Sequence, residues 1–156
     1  MTFAAEKLDT DARPVICTAL NIALAETAVA TMMAQNFHWN VTGVNFLPLH
    51  QLFQEIYEDH FAAQDDLAER IKALQGHADG NLARMIARSS ISEPQVNVTP
   101  KDMIATLLNA EETLAETLKA TGETAAPHCD KITEDLCFSR GKIHEKFAWM
   151  LRAQLR

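Results

Sequence analysis

The chain has only three cysteines, no C-x-x-C pair, no glycine-rich phosphate loop and no nucleophile elbow. Each absence removes a class of protein. Cys17, Cys129 and Cys137 are odd in number and far apart, which argues against a disulfide framework or a zinc ribbon. They read as reduced thiols, with Cys17 and Cys137 packed inside and Cys129 accessible at a helix start. Without a phosphate-cradling loop or a G-x-S-x-G turn, the common nucleotide-binding and acyl-transfer chemistries fall away. The longest apolar run is far short of the ~20 residues of a membrane span. The N-terminal MTFAAEKLDTDA is not a secretion signal, so a cytoplasmic location is expected.

Positive charge is also scarce. Fourteen Lys and Arg face twenty-one Asp and Glu, giving a formal charge of -7 and a sequence pI near 5.3. Nonspecific affinity for nucleic acid comes chiefly from cations meeting phosphates, so this balance opposes it. The first 13 residues offer only Lys7 and Arg13 against Glu6, Asp9 and Asp11. One further pattern is missing: none of the six histidines has Glu three residues before it. Di-metal sites closed inside one four-helix bundle are built on that Glu-x-x-His pair.

What remains is 156 residues, 47% hydrophobic, enough for one domain over 1–156 with a short N-terminal tail at 1–10. Asp9, Thr10 or Asp11 can cap a first helix from about Ala12 to His38, with Pro14 in its first turn. Val15, Ala19, Ile22, Ala23, Thr27 and Ala30 give that helix a small-residue face, and Met32 and Met33 read as core filler. A connection containing Gly43 leads to a second long helix, in which no proline follows Pro48. A short helix is expected over 81–90. Thr99-Pro100 opens a third long helix ending near Gly122, whose outer acids read as solvated, and a last helix runs from about Ala126-Pro127 to Leu155.

The second helix carries the chemistry. At about 100° per residue, His50, Gln54, Glu58, Phe61, Asp65 and Glu69 share one face. His50 and Asp65 are 15 residues apart, roughly 22 Å at ~1.5 Å per residue, too far for one ion. Two copies running antiparallel about a two-fold axis near Glu58 to Phe61 would bring His50 of one beside Asp65 and Glu69 of the other, twice over. His38, twelve residues before His50, is the natural further ligand. Imidazole with carboxylate suits iron or zinc, and the oxygen-rich share favours iron(II). On spacing alone, hydrogen-bonded core histidines and a solvated acidic stripe explain the pattern equally well. His60 points away from this face and reads as surface or shell packing. Arg70 reads as an ion-pair partner that fixes the helix.

The run HWNVTGVNFLPLHQLFQEIY, followed by DDLAERIKALQG, resembles the signature of the DNA-protection-during-starvation (Dps) mini-ferritins, and DKITEDLCFSRGKIHEKFAWMLRAQL is similar to their last helix. The resemblance covers most of the chain. It implies an all-α, ferritin-like four-helix bundle with a short extra helix between the second and third long ones. Twelve such subunits would form a hollow shell with ferroxidase centres at two-fold interfaces. It implies that His38 and His50 come from one subunit and Asp65 and Glu69 from its mate. Two iron positions per centre are expected, with zinc as a possible substitute and hydrogen peroxide or oxygen as electron acceptor.

The resemblance further implies that Trp39 takes up oxidising equivalents and that Asp130, with Glu134 and Asp135 beside it, lines an acidic three-fold pore. Helix capping alone could also explain those three acids. His144 and Glu145, in the HEK run, are expected to be structural. The family's usual aspartate four residues after the second histidine is Gln54 here, a neutral and weaker ligand, and Glu58 one turn on is a possible compensation. Two other functions stay in play: a metal-binding cage with little ferroxidase turnover, and a DNA-compacting structural protein. The acidic N-terminus predicts that the assembled protein gives no salt-sensitive retardation of duplex DNA in a gel at ordinary ionic strength; a retarded band that dissolves with added salt would reverse this.

Overall fold

Four long helices and one short one are linked in sequence in a computed structural model that describes residues 12–93 and 98–156. They are α1 (Ala12–Asn40), α2 (Phe46–Ala73), α3 (Leu82–Arg88), α4 (Pro100–Ala125) and α5 (Lys131–Ala153). Among the described residues there is no strand. The capping residues expected for α1, at positions 9 to 11, lie outside the described residues. The short helix between the second and third long ones is present, with Asn81 accepting from the Arg84 N–H as its cap. α1 packs along α2 and α4 along α5, and α1 also contacts α3 and α4.

Local signals explain most of the boundaries. Gly43, at φ +101, turns the chain between α1 and α2, a conformation L side chains rarely adopt. Thr99 and Asp102 form a reciprocal capping box, with Pro100 at the first helical position of α4. α4 runs three residues past its expected end at Gly122. That glycine is buried, and a Cβ there would lie 3.4 Å from the Cys137 Cβ and a Phe138 ring carbon, so it serves the close approach of α4 and α5 rather than termination. α5 starts later than expected: Ala126–His128 form a 3-10 turn, Cys129 is left-handed at φ +57, and Asp130 caps the helix that follows. Cys17 and Cys137 are buried and Cys129 exposed, as expected.

The buried face of α1 is Ile16, Leu20, Ala23, Leu24, Thr27, Ala30, Ala34 and Phe37. Val15 and Met32, placed in the packed face and core by the sequence, are instead exposed, because they fall outside that phase. α1 is also long and apolar enough by composition to cross a membrane, with mean hydropathy 1.6 over its richest window, although its longest uninterrupted apolar run is short. Half of that window is buried inside the bundle, and Glu26 within it accepts from the Ser90 N–H and hydroxyl, at 3.3 and 2.6 Å.

The apolar core falls into two clusters. One holds Phe37, Phe53, Leu107, Leu114 and Phe147; the other holds Ile16, Leu20, Leu67, Leu118 and Cys137. Between them α1, α2 and α5 contribute buried polar residues: Thr27, His60, and Arg140 with His144. At the far end of the second cluster, Arg70 turns inward to Asp130 at 2.6 Å and to the Thr133 hydroxyl at 2.8 Å. This is the helix-fixing ion pair expected of Arg70. It also corrects the pore assignment of Asp130. That side chain is 2% exposed and accepts from Arg70, the Thr133 N–H and the Thr133 hydroxyl, so its oxygens cap α5 and pair α2 rather than face a channel.

Burial disfavours the Asp130 carboxylate, but the hydrogen bonds from Arg70 and Thr133 outweigh it and hold the carboxyl below its ordinary range. A folded-state value depressed in this way adds stability above the unfolded value of about 3.9, and the contribution is lost as pH falls through the folded value. Asp130→Asn should therefore cost about 1.5–3 kcal/mol at neutral pH, the worth of a hydrogen bond to a charged group. It should also flatten the decline in stability below about pH 4. Urea unfolding of both proteins across pH 3–7 measures this; an unchanged acid limb would refute the assignment.

Candidate metal centre

The short connection between α1 and α2 brings the last turn of one helix against the first turn of the next. His38 Nδ1 lies 2.8 Å from the His50 carbonyl oxygen, and His50 Nδ1 lies 2.8 Å from the His38 carbonyl oxygen. A carbonyl only accepts, so both Nδ1 atoms carry a proton, and it is Nε2 of each neutral imidazole that has the lone pair to offer a metal. The rings stack, with centroids 3.7 Å apart and planes 19° from parallel. Phe46 stacks on His50 at 5.0 Å and the edge of Tyr57 meets His38 at 5.3 Å. Both imidazoles are half-buried. The backbone thus fixes the tautomer and direction of two neutral nitrogen donors, the service that outer partners give metal-bound histidines.

One turn further, half-buried Gln54 donates from Nε2 to Glu58 Oε1 at 2.7 Å. The amide N–H is committed to the acid, which leaves the Gln54 oxygen as its only ligand atom. Asp65 and Glu69 lie on exposed turns near the other end of α2, and Phe61, 72% exposed, sits between the two ends. At ~1.5 Å per residue the 15 residues from His50 to Asp65 span roughly 22 Å, so one subunit cannot bring the two histidines and the two acids to a single ion. Trp39 beside His38 is 61% exposed rather than packed. In α5, Glu134 is half-buried and takes Lys131 at 2.6 Å, whereas Asp135 is exposed.

A second cluster escapes the sequence reading. His60, expected at the surface or in shell packing, is fully buried in the bundle, as is Glu111 of α4, which the sequence reading did not single out. Buried His144 donates from Nδ1 to Glu111 Oε2 at 2.7 Å, with Arg140 Nη2 3.5 Å from its Nε2. His60 Nε2 lies 3.3 Å from Glu111 Oε1. Burial disfavours the Glu111 carboxylate, but the charge of His60 and the hydrogen bond from His144 outweigh it and the carboxyl is held at about 2. Burial also pushes the His144 imidazole below its ordinary range, against the pull of Glu111. The signal was present in the helical phase. His60 follows Ile56 by four and precedes Ala63 by three, Glu111 follows Leu107 by four and precedes Leu114 by three, and His144 precedes Phe147 by three.

The helix order, the short α3 and the histidine pair define a ferritin-like four-helix protein, and a model of the ferritin-like domain matches residues 17–156. A Bacillus anthracis protein named DNA protection during starvation protein 2 is 35% identical over 136 residues, covering 87% of this chain and 93% of that one. A Brevibacillus brevis DNA protection during starvation protein is 31% identical over 148 residues, covering 95% and 99%. The crystal structure of a Vibrio cholerae O1 Dps protein, described as a member of a broad superfamily of ferritin-like diiron-carboxylate proteins, superposes with a TM-score of 0.91 at 30% identity, covering 96% of this chain and 94% of that one. The chain belongs to the Dps family of ferritin-like proteins.

The histidine pair depends on the turn that Gly43 allows. Gly43→Ala should destabilise the protein by about 1–2 kcal/mol, the cost of left-handed backbone for an L residue. Metal affinity at the surface pair should fall with it. Thermal unfolding and a cobalt(II) titration together test this, and a wild-type result in both would show that the turn tolerates a side chain.

Proposed function

We propose that the protein is an iron-sequestering mini-ferritin whose ferroxidase centres form where two subunits meet about a two-fold axis. The observation that carries this is the reciprocal lock between His38 and His50. Two imidazoles with both Nδ1 protons spent on carbonyls are built to donate from Nε2. An antiparallel copy of α2 brings Asp65 and Glu69 of the mate to complete each centre. Exposed Phe61 lies where such an axis passes and gives the contact an apolar middle. Twelve subunits closing into a shell would supply the cavity in which ferric product mineralises.

Iron(II) is the substrate. Two ferrous ions give one electron each to hydrogen peroxide, which takes two protons and leaves as two waters; oxygen is the alternative acceptor. The histidines and the mate's acids hold the ions near the oxidant, so peroxide is consumed by paired electrons rather than released as radicals. Trp39 stands beside His38 and is exposed, which suits it to intercept a stray oxidising equivalent. Asp135, with Glu134 partly neutralised by Lys131, remains for the three-fold entry; Asp130 does not. Zinc, with the same taste for imidazole and carboxylate, would compete for the centre.

A second function is favoured by one observation: Gln54 is hydrogen-bonded to Glu58, so the carboxylate nearest the missing family aspartate is tied to its replacement. If that leaves the second iron without a charged ligand, the shell binds metal with little turnover. Stopped-flow oxidation of anaerobically loaded iron(II), with peroxide and with oxygen, separates the two. Ferroxidase function predicts rapid oxidation in the wild type, loss of at least about 100-fold in His50→Ala, and a modest change in Gln54→Asp. Oxidation appearing only in Gln54→Asp would establish the inert cage.

A further inference from the structure

We propose that each subunit holds a second divalent-metal site of the zinc type, inside the bundle, built from His60 of α2, Glu111 of α4 and His144 of α5. The three side chains are fully buried, come from one chain, and have ligand atoms all within 4.8 Å of one another. The site therefore needs no symmetry mate. It is independent of the surface pair and of the function proposed for it.

Geometry speaks first. A metal with bonds of about 2.0–2.1 Å to nitrogen and oxygen holds tetrahedral donors roughly 3.4 Å apart. His60 Nε2 and Glu111 Oε1 stand 3.3 Å apart, yet neither takes part in a hydrogen bond, because the contact is off the hydrogen-bond direction. His60 Nδ1 is also without a hydrogen-bond partner. Buried polar atoms left unpaired are costly, and buried charges are found paired or on metals. A hydrogen-bond network accounts for His144 and Glu111 Oε2; it leaves His60 Nε2 and Glu111 Oε1 in a charge contact without hydrogen-bond geometry, and His60 Nδ1 with no hydrogen-bond partner.

Charge points the same way. The guanidinium beside the cluster is already committed: Arg140 holds Asp59 with two bonds, of 3.1 and 2.6 Å, and reaches only His144 Nε2, at 3.5 Å, so it makes no bond to the Glu111 carboxyl. A divalent ion would compensate the carboxylate directly. To ligate through Nδ1, His144 must move its proton to Nε2 and give up the long Arg140 contact, while Arg140 keeps Asp59. Two imidazoles and one carboxylate are a donor set suited to zinc and iron(II). With all three side chains fully buried, exchange requires local opening, so a bound ion should resist chelators.

The test uses the assembled protein with the surface pair disabled, His38→Ala/His50→Ala, and cobalt(II) alone as the probe. Cobalt should bind at one ion per subunit, show visible d–d bands of an imidazole-coordinated ion, and survive brief EDTA treatment that strips wild-type surface metal. Adding Glu111→Gln, or separately His60→Gln, should abolish the bands and the chelator-resistant equivalent. Absence of that equivalent in the surface-disabled protein overturns the site without any core substitution. So does its persistence after Glu111→Gln in a variant whose circular dichroism and shell size are unchanged.

Discussion

Bond length against helix length is the constraint on which the surface chemistry depends. A metal holds its donors within a few ångströms, whereas the donors on the face of α2 are spread over roughly four turns. No rotamer can close that gap inside one straight helix. The subunit therefore keeps His50 and the pair Asp65 and Glu69 at opposite ends of α2 with an exposed aromatic between them, and under the proposed function each end is one half of a shared centre. The connection from Val41 to Asn45 has a complementary role: it crowds the ends of α1 and α2 until each histidine meets the other's backbone.

The two histidine clusters differ in what surrounds them. At the surface, carbonyls fix the protons and solvent remains close, so the donors can accept and release an ion. In the core, a carboxylate replaces the carbonyls, water is excluded, and the ionised group must be compensated where it stands. The same residue type thus stands beside solvent in one place and sealed from it in the other. Arg140, tied to Asp59, keeps a cation near the core cluster without filling it.

Much of the architecture was legible in the residues. Capping signals at Thr99-Pro100 and the unbroken pattern after Pro48 located helices, and helical spacing alone set His50, Gln54 and Glu58 one turn apart along α2. The reciprocal histidine lock was not legible, because it depends on carbonyl directions that no spacing reports. Asp130 was misassigned because an acid at a helix start looks alike whether it caps or lines a pore; only the inward turn of Arg70, sixty residues away, distinguishes them. His60 was placed at the surface or in shell packing because it points away from the ligand face, without weighing its apolar neighbours in phase, and Glu111 was not singled out. Their phase was the better guide, since a polar residue at an apolar position is buried by its neighbours.

Arg70 has an effect beyond its own ion pair. Its guanidinium anchors α2 to the start of α5, and its neighbour in sequence is Glu69. Consecutive residues on a helix point about 100° apart, so with Arg70 pinned in the interior the azimuth of Glu69 is set as well. The helix cannot roll about its long axis without pulling a charged group out of its socket. The outward aim of the acidic half-site is in this way indexed from the interior, like a dial held by a detent.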